Sequence, residues 1–167
     1  MNSEFHVKIA TGDDVKNYYD KLIEASPEDI YLPSQKNKRL QSLKSKTRMF
    51  FYGYLDGEVI TQGSATVSVR DEFTQNKEQV VSEKCAYLFN FLTVEEERGK
   101  GYFSKLYRFI EKTLSDMGFE YLSLGVEPED TENRERYRKM GFDELIYCGC
   151  EEFDGMKIDV EYYRKKI

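Results

Sequence analysis

The residues best suited to chemistry lie in the stretch TVEEERGKGYFSK, residues 93–105. It joins an apolar run to a helical pattern and places Arg98, Gly99, Lys100 and Gly101 at the junction. A strand that ends in a glycine turn and feeds a helix presents several backbone N–H groups at one point, where the helix dipole adds partial positive charge. Because glycines let a ligand approach the backbone and the two cations add charge, the junction predicts a phosphate or pyrophosphate site.

Two common phosphate-binding motifs do not match this junction. The P-loop pattern GxxxxGK[ST] does not occur in the sequence. The dinucleotide-binding pattern GxGxxG requires a third glycine where this sequence has Ser104, and it opens a βαβ unit, whereas here it follows two predicted helices and four predicted strands. An isolated RGKG string indicates only a helix that begins in charged, solvated residues. The interpretation therefore depends on the surrounding elements.

The hydrophobic pattern predicts seven strands and four helices in the order βααβββαβαββ. Strands are predicted at 5–9, 48–55, 58–70, 86–94, 119–126, 145–153 and 156–163, and helices at 13–25, 34–44, 101–118 and 131–140. Asp13 and Thr131 are the predicted N-terminal caps of the first and last helices. The run 86–94 is apolar nearly throughout, as expected for a central strand buried on both faces. We predict a single α/β (α+β) domain over residues 1–167, with helices on the faces of a mixed sheet.

Residues 86–142 resemble the GNAT superfamily of acyl-CoA-dependent N-acetyltransferases, through two motifs in the same order. The family's cofactor motif, [QR]xxGx[GA], follows a strand that ends in Leu-x-Val. The corresponding residues are Leu92, Thr93 and Val94, followed by Arg98, Gly99, Lys100, Gly101, Tyr102 and Phe103. A later family motif has an Asn and a Tyr on a short helix before Gly-Phe, matched here by Asn133, Tyr137 and Gly141-Phe142. The resemblance implies a GNAT-like fold, with a mixed, mostly antiparallel central sheet of about seven strands flanked by about four helices.

The resemblance also implies acetyl-CoA as the cosubstrate. Its pyrophosphate is expected at the backbone N–H groups of residues 98–103. Its pantetheine arm is expected beside the backbone of residues 92–94, like an added strand. A backbone N–H there would polarise the thioester carbonyl. Asn133 is expected to hold the cofactor or to orient its helix, although a solvated polar residue fits that position too.

The resemblance implies direct attack of an amine on the thioester, without a covalent enzyme intermediate. Tyr137 matches the family's usual proton donor, and a phenol with a pKa near 10 suits a thiolate leaving group. A packing aromatic on an amphipathic helix is the other interpretation of Tyr137. Many family members carry a basic carboxylate on the fourth strand, but residues 84–94 contain none. Glu127, at the end of the fifth strand, is a candidate base, and an amine that arrives neutral needs no strong base.

The sequence departs from the family at Phe103, where the family usually has Gly or Ala. The helix after the junction has an apolar stripe made of Phe103, Leu106, Tyr107, Ile110, Leu114 and Met117. We expect the Phe103 ring to turn into this stripe, which leaves its backbone N–H available to a phosphate. A ring that pointed at the ligand would instead weaken cofactor binding.

Two charged stretches give opposite indications about the acceptor. Residues 36–48 carry six basic side chains and no acidic one. The C-terminal stretch carries Glu151, Glu152, Asp154, Asp159 and Glu161. A basic wall favours an acceptor with a carboxylate or phosphate, an acidic wall favours a polycation, and both stretches can be solvated surface. The acceptor is therefore predicted only as a primary amine of a small molecule or peptide.

Two other functions stay open at this point. The departure at Phe103 and the missing strand carboxylate fit a catalytically silent acyl-CoA-binding module. The basic stretch 36–48, with Arg134, Arg136, Arg138 and Lys139, would suit a nucleic-acid surface with salt-dependent binding. The formal net charge of -6 argues against nucleic acid and against anionic membranes.

The composition argues against some cell compartments and some kinds of binding site. No apolar run approaches the roughly 20 residues of a membrane span, and the N-terminal residues lack the apolar segment of a signal peptide. Three cysteines without zinc-like spacing favour a cytoplasmic location, and Cys148 and Cys150 are expected to be buried in a strand. The single histidine, His6, excludes a zinc site with several histidines, so no metal is predicted. A homodimer is possible, because members of the family often dimerise.

Overall fold

The computed structural model describes residues 4–74, 77–153 and 155–167, which contain seven strands and four α-helices. The strands are β1 (Phe5–Ile9), β2 (Arg48–Leu55), β3 (Glu58–Thr66), β4 (Cys85–Thr93), β5 (Tyr121–Val126), β6 (Glu144–Phe153) and β7 (Met156–Lys166). The helices are α1 (Gly12–Ala25), α2 (Leu32–Ser45), α3 (Tyr102–Asp116) and α4 (Thr131–Lys139), with short 3-10 helices at Glu72–Thr74 and Glu95–Glu97. The predicted order of elements is confirmed.

The strands form a seven-stranded sheet in the order β1-β2-β3-β4-β5-β7-β6. The pairs β1–β2, β5–β7 and β6–β7 are antiparallel, and β4–β5 is parallel. The sheet is therefore mixed and mostly antiparallel, with four α-helices, as the sequence predicts. The predicted C-terminal hairpin of β6 and β7 is also confirmed, and β7 inserts beside β5 so that β6 lies at the edge.

The chain divides into two compact units that interleave along the sequence. The first consists of residues 1–65 and 90–110, and the second of residues 66–89 and 111–167. The single domain expected for residues 1–167 stays a prediction, and each unit is described separately.

In the first unit, α1 and α2 pack against β2. The buried core there is formed by Ala10, Val15, Tyr19, Phe50 and Tyr52. The N-terminus of α1 differs from the prediction, because Thr11 is the cap and not Asp13. The Thr11 hydroxyl accepts a hydrogen bond from the Asp14 N–H, and the Asp14 carboxylate accepts one from the Thr11 N–H. This reciprocal capping box satisfies two N–H groups, which a lone Asp13 cap would not do.

In the second unit, the core packs around β7. It contains Val80, Val81, Val160 and Tyr162, with partly buried aromatic side chains around them. Asp130, not Thr131, caps α4, because its carboxylate accepts the Asn133 N–H at 3.1 Å.

Two further expectations for this unit are wrong. Cys148 and Cys150 are exposed rather than buried, since they lie two residues apart on the edge strand β6. Met117 does not belong to the apolar stripe, because it follows the end of α3 and is 52% exposed. Asp154, one of the acidic residues of the C-terminal stretch, lies outside the described residues.

Candidate active site

The parallel pairing of β4 with β5 ends well before β4 does. The last paired residues are Leu88 and Leu124, whereas β4 continues to Thr93. Within this extension Asn90 has a φ of 56°, in the left-handed region that non-glycine residues rarely adopt. Such a conformation inside a strand breaks the regular ladder. The backbone that the sequence assigns to pantetheine, residues 92–94, therefore follows a break in the strand.

Arg98 turns back toward the end of β4. Its Nε donates to the carbonyl oxygen of Thr93 at 3.0 Å, and its side chain is exposed. Lys100 forms an ion pair with Glu97 over 3.0 Å. Both cations stay at the junction, and the Arg98 contact fixes the turn between β4 and α3. The sequence does not predict that this arginine is bonded to its own loop.

The junction leaves a row of backbone donors free. Gly99 and Gly101 have φ values of 74° and 83°, and no atom lies within 4 Å of a Cβ built on either residue. Across the described part of the chain, no backbone acceptor receives the N–H groups of residues 99–104. Free N–H groups at a helix N-terminus, beside open space, fit a phosphate or pyrophosphate group.

Phe103 turns away from these donors, as predicted. Its ring packs edge-on against Phe91, with 5.3 Å between centroids, and lies 6.4 Å from the Tyr107 ring. Leu106 and Ile110 of the same stripe are fully buried. The bulky side chain therefore packs in the first unit, and its backbone N–H remains at the start of α3.

The other two predicted site residues lie in the second unit, where they line a cavity of ≈ 260 Å³. Its lining residues are Tyr87, Gly125, Val126, Glu127, Asp130, Asn133, Tyr137, Ile158, Val160 and Tyr162. Tyr137, Asn133 and the candidate base Glu127 thus share one cavity. Sequence reasoning missed Tyr87, Asp130 and Tyr162, because no periodicity indicates that residues of β4, β7 and the turn before α4 meet there.

The Tyr137 side chain is half-buried, and its ring lies edge-on to that of Phe142. Burial raises the pKa of the Tyr137 phenol above its ordinary value. The phenol is consequently protonated at neutral pH, the state that a proton donor requires. Glu127 is exposed at the cavity mouth.

Asn133 is held by its own helix. Its Nδ2 donates to Asp130 Oδ2 at 2.7 Å, and its Oδ1 accepts a hydrogen bond from Arg136 Nη1 at 3.0 Å. These contacts orient the first turn of α4. Tyr137 lies about one turn further along the same helix. They match the alternative that Asn133 orients its helix.

Comparison with known proteins decides the family. The sequence model of the Acetyltransferase (GNAT) family matches residues 15–142, which is most of the chain. The chain belongs to the GNAT acetyltransferase family. No curated protein sequence matches it significantly. As members of this family use acetyl-CoA, the protein is an acetyl-CoA-dependent N-acetyltransferase.

Solved structures share the fold at low sequence identity. A probable acetyltransferase from Staphylococcus epidermidis has a TM-score of 0.73 and 12% identity, and the alignment covers 98% of this chain and 99% of that one. An N-acetyltransferase from Staphylococcus aureus has a TM-score of 0.67 and 12% identity over 98% and 99% of the two chains. An acetyltransferase from Salmonella typhimurium, solved with its cofactor acetyl-CoA, has a TM-score of 0.66 and 11% identity over 98% and 94%.

The described residues lack the features of two other kinds of protein. No helix there is long and apolar enough to cross a membrane. No group of three or more His, Cys, Asp or Glu side chains in that part of the chain is arranged to hold a metal ion. The basic residues of α4 are paired, since Arg134, Arg136, Arg138 and Lys139 each form an ion pair with a glutamate.

Proposed function

We propose that this acetyltransferase acts on a primary amine of a small molecule or peptide, which attacks the thioester directly. The observation that carries the proposal is the β4–α3 junction, where the N–H groups of residues 99–104 have no backbone acceptor within the described residues. Unpaired donors at a helix N-terminus suit the pyrophosphate of acetyl-CoA. The predicted cofactor residues are Leu92, Thr93, Val94, Arg98, Gly99, Lys100, Gly101, Tyr102, Phe103 and Asn133.

The backbone of the junction supplies most of the binding in this proposal. Gly99 and Gly101 hold the turn open, and Arg98 fixes it by its contact with Thr93. Val94, the last predicted pantetheine contact, donates its own N–H to the Ile60 carbonyl at 2.9 Å. The donor for the thioester carbonyl would therefore come from an earlier residue of the β4 extension. Preorganised backbone donors of this kind stabilise developing negative charge on the carbonyl oxygen.

Acetyl-CoA supplies an activated acetyl group as a thioester. In the proposed reaction, Tyr137 gives its phenolic proton to the departing sulfur. Because burial raises the pKa of Tyr137, the phenol is protonated at neutral pH before the transfer. Glu127, on the same cavity as Tyr137, is the proposed base for an amine that arrives protonated. Asn133 positions the helix that carries Tyr137.

The packing of Phe103 favours the enzyme over the silent binding module. That alternative was based on the departure at Phe103 and on the missing strand carboxylate. The first ground is weaker, because the ring lies against Phe91 and Tyr107. A cytoplasmic location stays a prediction from the cysteine content, and a homodimer stays a prediction from the family.

The test is a calorimetric titration of acetyl-CoA into the wild-type protein and into Arg98→Ala. We expect micromolar binding that weakens in the variant, because the variant loses both a cation and the contact that fixes the turn. Release of free CoA thiol with a panel of primary amines then measures transfer. Lys112→Ala is the matched control, since its ion pair with Asp116 lies at the other end of α3.

Absence of acetyl-CoA binding in the wild type would remove the proposed cofactor site. Binding without thiol release for any amine would leave the silent module in its place. An effect of Lys112→Ala equal to that of Arg98→Ala would mean that the titration reports only net charge.

A further inference from the structure

A polar cluster is enclosed among the first two helices and strands β2 and β3. It consists of Tyr18, Tyr19, Arg39, Tyr52, Gln62 and Ser64, all in the first unit. Tyr52, Gln62 and Ser64 are 1%, 9% and 2% exposed, and Tyr19 is 4% exposed. Polar groups buried at this depth normally satisfy one another. Here the Tyr52 hydroxyl has no partner, and Arg39 has only neutral ones.

Arg39 is a cation of the cluster that has no anionic partner in the described residues. Its guanidinium lies 5.5 Å from the centroid of the Tyr19 ring and 5.1 Å from that of Phe50. Its hydrogen-bond partners are neutral hydroxyls: Nη1 donates to Ser64 Oγ at a long 3.5 Å, and the Tyr19 hydroxyl also lies within hydrogen-bond reach of the guanidinium. Among the residues that the structure describes, no carboxylate pairs with it. A half-buried guanidinium offers five donors in a planar fork, which suits a carboxylate or phosphate.

The surrounding basic residues behave differently. Lys36 forms an ion pair with Asp20 at the surface of α1. Lys38 and Lys44 are exposed. Arg39 is thus the basic residue of α2 that reaches the buried phenols and Ser64, so the charge of the stretch 36–48 is not simply a solvated surface.

Tyr52 is the unsatisfied member of the cluster. Its hydroxyl is buried and has no hydrogen-bond partner in the described structure. Its ring lies 5.2 Å from that of Tyr18. Burial raises the pKa values of Tyr18, Tyr19 and Tyr52, and the charge of Arg39 partly offsets each rise, as expected if all three phenols lie near the guanidinium. A buried hydroxyl without a partner is costly, and a ligand oxygen would remove that cost.

The cluster lies beside the segment of β4 that the proposed function assigns to the thioester. The Val94 N–H donates to the Ile60 carbonyl at 2.9 Å, and the hydroxyls of Thr61 and Thr93 are 2.9 Å apart. The start of β3 therefore lies against the end of β4, so the two strands run antiparallel. The same register places Ser64 opposite Asn90. Ser64 is the residue that accepts from Arg39, and Asn90 is the residue of β4 with a left-handed backbone conformation.

We propose that Arg39 and Tyr52, with Ser64, form a subsite for the carboxylate of the acceptor. The substrate class is then an amino acid or another small amino-carboxylic acid, rather than a polyamine or an aminoglycoside. The guanidinium would bind the carboxylate through its paired N–H groups, and the Tyr52 hydroxyl would donate to it. This assignment of the substrate rests on the proposed acetyl transfer to an amine.

The first experiment measures binding without turnover. Each of the twenty common L-amino acids and its carboxamide is tested by saturation-transfer NMR against the wild-type protein, with propionate and inorganic phosphate as amine-free anions. We expect at least one free acid to bind roughly ten- to a hundredfold more tightly than its amide, the range expected for hydrogen bonds to a charged group. Arg39→Gln should abolish the difference and Tyr52→Phe should reduce it. Lys38→Gln, an exposed neighbour in α2, should leave it unchanged.

Equal binding of acids and amides, or no binding of any amino acid, would overturn the assignment. So would an unchanged preference in Arg39→Gln. Tighter binding of phosphate than of any carboxylate would overturn the choice of carboxylate. If Arg39→Gln does not fold, as judged by its thermal melt, Tyr52→Phe and Arg39→Lys decide the question, because the lysine keeps the charge without the planar fork.

The second experiment measures release of CoA thiol with the same pairs. Preference for the acids in kcat/KM that disappears in Arg39→Gln supports both proposals. Turnover of acids and amides at equal rates overturns the carboxylate subsite and leaves acetyl transfer intact. Selective binding of acids with no thiol release from any amine overturns acetyl transfer and leaves the anion subsite intact.

Discussion

The ring of Phe103 in the first turn of α3 packs edge-on against the ring of Phe91 in β4, with 5.3 Å between centroids. The contact joins the two elements on either side of the glycine turn. The ring contact anchors the turn, while no backbone acceptor in the described residues receives the N–H groups of residues 99–104. A large aromatic residue is therefore compatible with a phosphate-binding turn when its ring belongs to the core.

Truncation of this ring should destabilise the protein without improving cofactor binding. We expect Phe103→Ala to lower the free energy of unfolding by roughly 3 kcal/mol, because the contact with Phe91 is replaced by a cavity. Urea denaturation measures this loss. The control Phe103→Leu keeps most of the volume and should lose only about 1 kcal/mol. Tighter acetyl-CoA binding by the folded Phe103→Ala protein would mean that the ring obstructs the cofactor.

The glycine at the start of α3 should matter for the ligand and not only for the turn. Gly101 has a φ of 83°, so Gly101→Ala should cost about 1 kcal/mol of stability through backbone strain. The added methyl group also enters the open space in front of the free N–H groups. We expect acetyl-CoA affinity to fall roughly tenfold, the equivalent of about one weakened charge-assisted hydrogen bond.

Gly57→Ala is the matched control for this prediction. Gly57 lies in the β2–β3 turn with a φ of 84° and equally open surroundings. The strain should lower stability by a similar amount, whereas calorimetry should give the wild-type affinity for acetyl-CoA. Loss of affinity in both variants would attribute the effect to stability and not to the junction.

Removal of the Tyr137 hydroxyl should slow the reaction and leave folding intact. We expect Tyr137→Phe to lower kcat roughly a hundredfold, at the low end of the usual range for general-acid catalysis. Because burial raises the pKa of Tyr137 above 10, the donor form is lost only as the pH rises through that higher value. The wild-type kcat should therefore show no fall from this group below about pH 10. A pH profile that falls near neutrality would assign the proton to another residue.

Buried tyrosines should make the fold sensitive to alkali. Burial raises the pKa values of Tyr52 and Tyr162, while a tyrosine in the unfolded chain ionises near 10. Above that pH the unfolded state binds fewer protons than the folded state, so the free energy of unfolding falls as the pH rises. Urea midpoints between roughly pH 9 and pH 12 measure the fall. Tyr52→Phe should make it shallower, and an identical slope would contradict the burial of that phenol.

Sequence periodicity predicted the elements well, because apolar residues must meet in the core whatever the details. The run 86–94 became β4, and the stripe behind Phe103 became the buried face of α3. The expected burial of that strand on both faces is wrong for its second half, where Asn90 and Leu92 are exposed. The N-terminal caps of the helices were predicted less well. Asp13 was predicted as a cap, but Thr11 and Asp14 satisfy each other's N–H groups and take its place. The Thr-x-x-Asp spacing was the signal that could have shown this.

Properties that depend on the order of strands could not be predicted. Cys148 and Cys150 are exposed because β6 is an edge strand, a position that hairpin patterns do not specify. Arg39 is another example, since a basic residue among six in one stretch gives no sign of its depth. The packing of α2 beside α1 and β2 places the Arg39 side chain near Tyr19 and Ser64. The glycine turn before α3 was predictable because its signal is local, whereas the polar cluster around Arg39 is assembled from residues far apart in the sequence.

The unpartnered hydroxyl of Tyr52 should cost stability in the free protein. We expect Tyr52→Phe to raise the free energy of unfolding by roughly 1 kcal/mol, because the buried donor disappears with little change in shape. Tyr162→Phe is the matched control, since the Tyr162 hydroxyl donates to Glu151 Oε1 at 2.9 Å. Its removal should lower stability by about 1 kcal/mol or more, because the bond to a charged group is lost.

The stability difference between Tyr52→Phe and the wild type should shrink or change sign when a ligand occupies the proposed carboxylate subsite. A ligand that accepts a hydrogen bond from Tyr52 stabilises the wild type more than the variant, so a saturating carboxylate acceptor should narrow or invert the difference in Tm. Thermal melts of both proteins, with and without the amino acid that binds best, measure this. A variant that is less stable than the wild type without ligand would mean that the hydroxyl already has a partner. The proposed trade-off, in which the free protein loses stability so that the Tyr52 hydroxyl is available to a ligand, would then be wrong.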